Sequence, residues 1–439
     1  MRLKTPLIIT LLGGFALPLS AATVSERIDQ QAIEISKLKQ QLAGLTVQAP
    51  SNELLENKFS FSSYGSVNYA SREVFQNTQD VNPTRRASVD VERLVAEFGY
   101  QFDPKWSIEF EVEFEHGGTG ITLEYDGFEE FGEFETELEA GGEVIVEKLE
   151  VTYQHSKQFG LKMGHIYVPV GMTTSLHKPH QYFTVTRHSS LNNMIPGVWH
   201  ETGIAAFGQI ADFHYQAQVV TGLNSEYFRT YNWVNGASQK RFETANADDL
   251  ALVVRLDYGD IKQGSAIGFS YYVSNTSGNR HKTNQMNVDG QLSILDLHGV
   301  YRGDKLTVRA QYLLGDLQDS NAITAANRQT PGLKVGNFAQ LGSQAEAMFV
   351  EAGYDISSLV NLKQPLSVFT SVDYSNPLSK VDSPFISQRF EKTEFAVGIN
   401  YMPTKNLVFK AQVGQQQTAM TTIPNTTSFE MGLGYYFSL

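Results

Sequence analysis

Trp106–Glu115 reads WSIEFEVEFE. Trp106, Ile108, Phe110, Val112 and Phe114 take alternate positions, and Ser107, Glu109, Glu111, Glu113 and Glu115 fill the places between them. Successive strand side chains point to opposite faces, so this strand has one apolar wall and one wall bearing four carboxylates. Like charges in a row repel unless water or counter-charge reaches them. The strand therefore divides an apolar medium from an aqueous one, as the wall of a transmembrane β-barrel does.

The same period of two recurs along the chain. Leu94, Phe98, Tyr100 and Phe102 lead into the Asp103-Pro104-Lys105 turn. Leu149, Val151 and Tyr153 follow, then Leu161 and Met163, then Leu250, Leu252, Val254, Leu256 and Tyr258. Ile267, Phe269, Tyr271 and Val273 form another set, as do Leu306, Val308, Ala310 and Tyr312. Phe395, Val397, Ile399 and Tyr401 precede Leu407, Phe409, Ala411 and Val413, and the final strand alternates from Phe429 to Leu439. Weaker segments bring the count to about 16 strands of the length a tilted membrane strand needs. Short connections (Asp103–Lys105, His155–Gln158, Ile210–Asp212, Arg302–Lys305, Met402–Asn406) alternate with long ones (Ser71–Arg86, His116–Gly142, Val168–Gly197, Gly222–Ala247, Asp316–Gly342, Asn376–Arg389). The reading is an all-β, antiparallel transmembrane barrel over residues 59–439, with both barrel ends on the short-turn, periplasmic side.

Ahead of the barrel, Arg2 and Lys4 precede an apolar run from Leu7 to Leu19 and the small residues Ser20, Ala21 and Ala22, the pattern of a signal peptide over 1–22. Residues 23–45 open on a Thr23/Glu26 capping box and place Ile28, Ile35, Leu38, Leu42 and Leu45 at heptad positions, with Gln31 interrupting the seam. This predicts a short periplasmic coiled-coil helix that joins subunits; a lone amphipathic helix is the competing reading. Residues 46–58 read as a polar linker. The chain has no cysteine, which removes disulfides and thiolate chemistry. Formal net charge is −13, yet Ser107–Glu150 alone carries 15 acids and one lysine. The remainder is nearly neutral, and a nucleic-acid-binding surface is unsupported.

The Val168–Gly197 loop joins the fifth and sixth strands and holds His177, Lys178, His180, Arg187 and His188 without one acid. Folded inward, it would set a basic constriction against the acidic wall of Glu109, Glu111, Glu113 and Glu115, and a transverse field would cross the water-filled lumen. Left outside, it would be a solvated loop. Arg93, Lys162, Arg255, Arg309 and Lys410 face inward by alternation, either as an anion path or as wall residues paired with carboxylates such as Glu97 and Asp257. The His177-Lys178-Pro179-His180 run and His200-Glu201 have ligand-type side chains, but their spacing makes a weak metal signal. Pore-lining histidine would instead make conductance respond to pH near 6.5, the unperturbed value of about that size. The acidic run Glu124–Glu139 carries Tyr125, Phe128, Phe131, Phe134 and Leu138, which suit packing against a rim or neighbour. No Gly-x-Ser-x-Gly, His-Glu-x-x-His or phosphate-cradling loop occurs, so no catalysis and no cofactor are expected.

LKMGHIYVPVGM (Leu161–Met172), MIPGVWHETGIAAFG (Met194–Gly208) and the closing GLGYYFSL resemble the phosphate-selective porin O and P family, and more loosely trimeric porins with an N-terminal coiled coil. The resemblance covers most of the chain after Phe59. It implies a 16-stranded trimeric channel whose third loop enters the lumen. Phosphate-selective members line the pore with a basic ladder, whereas this chain carries the glutamate row. The expectation is an outer-membrane porin, a homotrimer among lipid and lipopolysaccharide, passing small hydrophilic solutes or ions passively. An anion- or phosphate-preferring channel and a structural or adhesive barrel are the alternatives.

Overall fold

The computed structural model describes residues 36–37, 58–76, 80–117, 121–126, 135–140, 143–238, 244–329, 340–383 and 387–439. The chain divides between Asn57 and Lys58. The expected leader, the seam of Ile28, Ile35, Leu38, Leu42 and Leu45, and all of the linker but Lys58 lie outside the described residues. No helix among the described residues is long and apolar enough to cross a membrane.

The second unit is built from β1 (Phe59–Val74), β2 (Thr84–Gln101), β3 (Trp106–Glu115), β4 (Ile121–Asp126), β5 (Glu135–Ala140), β6 (Glu143–Ser156), β7 (Phe159–Tyr167), β8 (His200–Ile210) and β9 (Phe213–Thr221). It continues through β10 (Leu250–Gly259), β11 (Ala266–Ser274), β12 (Leu292–Arg302), β13 (Leu306–Leu317), β14 (Gln344–Asp355), β15 (Leu366–Lys380), β16 (Lys392–Thr404), β17 (Leu407–Thr418) and β18 (Thr426–Ser438). Two helices lie in long connections, α1 (Ser189–Asn192) and α2 (Ser320–Gln329).

Sixteen of the described strands close one antiparallel barrel, in which β3 pairs with β6 and β18 pairs back onto β1. Closure leaves no edge strand with unpaired backbone groups, the condition a sheet must meet in lipid. β4 and β5 form a separate hairpin in the long connection between β3 and β6, inside the acidic run. Residues 127–134, with Phe128, Phe131 and Phe134, lie outside the described residues.

The alternation sorts itself as the sequence implies. Leu94, Phe98, Trp106, Phe110, Phe114, Leu252, Ile267, Val397 and Phe429 are exposed on the outer wall, and Phe98 stacks on Phe110 across β2 and β3. Arg93, Glu111, Arg255, Asp257, Asp296, Arg309, Glu351 and Lys410 are buried on the inner wall. A sheet apolar outside and charged inside is the transmembrane barrel of the expected class. Short turns and long connections alternate around it, and four connections escaped the sequence reading, the turns 260–265 and 356–365 and the long-side connections 275–291 and 419–425.

The lumen is filled on its long-loop side. Leu223, Phe228, Trp233, Val234 and Ile323 from the long connections pack on Ala251, Val253, Ile294, Leu313, Ala345 and Ala347 of the wall. Gly315 makes room for the Trp233 ring, since a Cβ there would stand 1.9 Å from it.

Candidate functional site

The loop from Val168 to Trp199 leaves β7 and enters the lumen. Its point of entry is shaped by Gly171, at φ +69°, a region that favours glycine. A Cβ at Gly171 would also meet the Gln311 amide nitrogen at 1.9 Å. Val168, Val170, Met172, Leu176, Tyr182, Val185, Leu191 and Met194 are all buried, so the loop is a second inner layer.

Irregular backbone at membrane depth must find partners, because an unsatisfied amide or carbonyl there costs several kcal/mol. Wall side chains supply them on strand after strand. Ser270 of β11 accepts from the Gly171 amide at 3.0 Å and Arg255 of β10 donates to the Gly171 carbonyl at 2.6 Å. Gln311 of β13 accepts from the Met172 amide, Glu351 of β14 from the Phe183 amide, Gln412 of β17 from the Val185 amide, and Asp373 of β15 from the Ser190 amide. Lys410 of β17 donates to the Tyr182 and Thr184 carbonyls, each at 2.8 Å. Two wall glycines add sockets, Gly353 beneath the Phe183 ring and Gly434 beneath Pro179. The inner polar face is thus largely a set of latches.

Each residue singled out from sequence has a definite place. Lys178 reaches back to β2 and pairs with Glu97 at 2.7 Å, with the Tyr436 and Tyr64 rings at 4.7 and 5.1 Å. Ser62 donates to the same carboxylate. His177 lies between the Tyr64 and Tyr167 rings, and His180 faces Tyr436. His188 stacks on Phe349, with Nε2 3.2 Å from Glu351 and Nδ1 3.4 Å from Asp373. Arg187 has Nε and Nη1 buried without hydrogen-bond partners among the described residues, beside a cavity of about 30 Å³.

The acidic wall departs from the expected arrangement. The loop bases do not stand against the glutamates of β3; wall bases beside them do. Lys148 of β6 lies 3.0 Å from Glu109 and 3.8 Å from Glu111, and Arg93 of β2 lies 3.2 Å from Glu113 and 4.0 Å from Glu115. Tyr64 and Tyr167 donate to Glu111 at 2.8 and 2.5 Å. Glu111 and Glu113 are no more than 1 % exposed, so only Glu109 and Glu115 meet open space. The nearest counter-charges of the glutamate row thus come from the wall itself.

The cause is a β-bulge. Glu111 pairs with Lys148 but Val112 pairs with Val146, which leaves Glu147 as the extra residue and turns both Glu147 and Lys148 inward. Neither was singled out from sequence, although a signal exists. In EVIVEKLEV the outward series Val144, Val146 resumes at Leu149, Val151, one residue out of phase.

Of the five inward bases, Arg93 holds Glu113, Lys162 holds Glu150 at 2.8 Å, and Arg255 holds Asp257 at 2.9 Å. Arg309 pairs with Glu351 and Lys410 holds the loop. Asp257 is also 2.7 Å from His298, whose other nitrogen lies 2.6 Å from Asp296. These bases stabilise the lumen as pairs and latches.

Two cavities open on the short-turn side of the loop. One of about 860 Å³ is lined by Glu97, Glu109, Lys148, Lys162, Lys178 and Lys262, among others. The other, about 390 Å³, borders His180–Phe183 and the β12–β13 turn.

Two histidines of the loop, His177 and His180, are held below the ordinary imidazole range. Burial, then Lys178, lowers the pKa of His177 well below its ordinary value. Burial, then Lys178 and Lys410, lowers that of His180 to about 4. Conductance is thus expected to be flat between pH 5 and 8 as far as these two groups decide it. Stability behaves differently: below about 6.5 the unfolded histidine binds a proton that folded His180 refuses. Stability should fall as pH drops from 6.5 towards 4 and then level off. Urea unfolding across that range should show a shallower slope for His180→Gln; an unchanged slope would contradict the assignment.

No family model matches the chain. A protein of Aquifex aeolicus (strain VF5), described as uncharacterized, is 26% identical over 373 residues, 84% of this chain and 78% of that protein. Among solved structures, Salmonella typhi OmpF in complex with daunomycin aligns over 86% of this chain and 97% of its own at 9% identity, with a TM-score of 0.51. The anion-selective porin from Comamonas acidovorans aligns over 87% of this chain and 100% of its own at 8% identity, with a TM-score of 0.50. At such identities the likeness is one of fold, and that fold is the outer-membrane porin barrel.

Proposed function

We propose that the protein is an outer-membrane porin through which small hydrophilic solutes or ions diffuse passively, with the loop 168–199 as its constriction. The observation that carries this reading is the loop itself, folded into a sixteen-stranded barrel and latched to β2, β10, β11, β13, β14, β15 and β17. A barrel needed only as a structural or adhesive body has no use for a luminal loop that leaves charged cavities beside it. His177, Lys178, His180, Arg187 and His188 form this constriction in the proposed reading, with Glu109 and Lys162 at its short-turn side.

The lysines around the larger cavity favour an anion-preferring variant of the same function. The proposed kinship with the phosphate-selective O and P porins rests on the segments Leu161–Met172 and Met194–Gly208 and on the closing GLGYYFSL. The proposed state is a homotrimer in the bacterial outer membrane, among lipid and lipopolysaccharide, with residues 23–45 pairing in the periplasm through their heptad seam. Purified protein in a planar bilayer should give discrete conductance steps; a well-folded preparation that passes no current would favour the structural barrel. Deleting residues 23–45 should lower the temperature at which trimers dissociate in detergent while barrel formation persists, and unchanged dissociation would remove that helix from assembly.

A further inference from the structure

The turn between β10 and β11 is unlike a solvent-facing hairpin end. Ile261 is only 7% exposed and belongs to the buried apolar cluster inside the barrel. Asp260 caps the turn by accepting from the Lys262 amide at 2.8 Å and the Gln263 amide at 3.0 Å. Arg302 of β12 donates to the Ile261 carbonyl at 3.0 Å and also to the Gly264 carbonyl. Gly259, at φ +92°, begins the bend, and its amide donates to the Asp212 carbonyl of the neighbouring turn at 2.8 Å. Five residues are thus folded over the short-turn mouth and fastened there.

That fold delivers one charge. Lys262 is exposed, and it borders both the 860 Å³ and the 390 Å³ cavities. Lys148, Lys162 and Lys178 around the larger cavity are each held by a carboxylate, Glu109, Glu150 and Glu97 respectively. Among the described residues none stands at ion-pair distance from the Lys262 ammonium. Asp257 is taken up by Arg255 and His298, and Asp260 is turned onto its own turn's amides. Lys262 thus shares the larger cavity with the three paired lysines.

We infer that Lys262 is a specificity-determining residue that biases passage through the short-turn mouth towards anions, and that the β10–β11 turn is a second constriction facing the loop 168–199. A charge held at a narrow, low-dielectric opening acts on every ion that crosses it, whereas paired wall charges largely cancel at that distance. The inference rests on the porin reading and sharpens it by naming the residue that sets the sign of selectivity.

The chain has no cysteine, so a single introduced thiol can be labelled cleanly. Reversal potentials in a KCl gradient would be measured for the wild-type protein, Lys262→Cys, and Lys405→Cys in the exposed β16–β17 turn, which lines neither cavity. Lys262→Cys should shift the reversal potential towards that of potassium. A trimethylammonium-bearing thiosulfonate should reverse the shift, and a sulfonate-bearing one should enlarge it. Lys405→Cys should leave the wild-type value in place. A conducting barrel whose reversal potential ignores the charge at 262, or follows the charge at 405 equally, overturns the inference and leaves the porin reading standing. A folded wild-type barrel that passes no current overturns both.

Discussion

Arg93→Met should destabilise the barrel by about 3–5 kcal/mol, the cost of leaving a buried charge without its partner. Arg93 is 3% exposed, and the carboxylates around it, Glu113 and Glu147, are 1% and 2% exposed. Water cannot replace the guanidinium at such burial, and the bulge that turns Glu147 inward has already crowded acids into the same stretch of wall. Methionine conserves much of the volume, so the loss reports charge rather than a cavity. Adding Glu113→Gln to Arg93→Met should recover most of the stability, because the uncompensated carboxylate leaves with the guanidinium that paired it. Urea unfolding in lipid vesicles would measure both. A loss under about 1 kcal/mol, the range of exposed ion pairs, would mean that the cluster is hydrated.

Lys410→Met should release the middle of the luminal loop. The Lys410 amine nitrogen donates to two loop carbonyls, and its own exposure is 5%. Each such hydrogen bond contributes about 0.5–1.5 kcal/mol, so the loop would lose two ties to β17. Gln412 and the Gly434 socket remain to hold the neighbouring segment. The expected phenotype is a higher mean conductance with larger current fluctuations, and faster protease cleavage within 180–186 while the barrel stays intact. Wild-type currents and cleavage rates would show that Lys410 is a passive wall residue.

The wall of the barrel was legible because its determinants are local. Leu252 to Tyr258, or Phe395 to Tyr401, carry their faces in a period of two, and the alternation of short and long connections follows from where that period breaks. The lumen was less legible because its determinants are distant in sequence. Lys178 finds Glu97 across 81 residues, and Lys410 finds Thr184 across 226. No spacing rule predicts such pairs.

The glutamate row shows the same limit. Its inward face was readable from WSIEFEVEFE, but its partners were not, because Lys148 faces it through a one-residue bulge on another strand. The inward turn of Asp260–Gly264 depends on Arg302, 41 residues away from Ile261. The phase slip between Val146 and Leu149 was the sequence's signal for that bulge. The heptad seam of residues 23–45 falls outside the described residues.

If the loop 168–199 is a latched constriction in a conducting barrel, removing it should widen the path. Replacing residues 173–192 by a short glycine-serine bridge and comparing single-channel conductance with the wild-type protein tests it most directly. The wild-type barrel should give discrete steps, and the shortened loop a several-fold larger conductance with passage of solutes that the wild-type barrel excludes. Equal conductance in the two proteins, both folded, would contradict it.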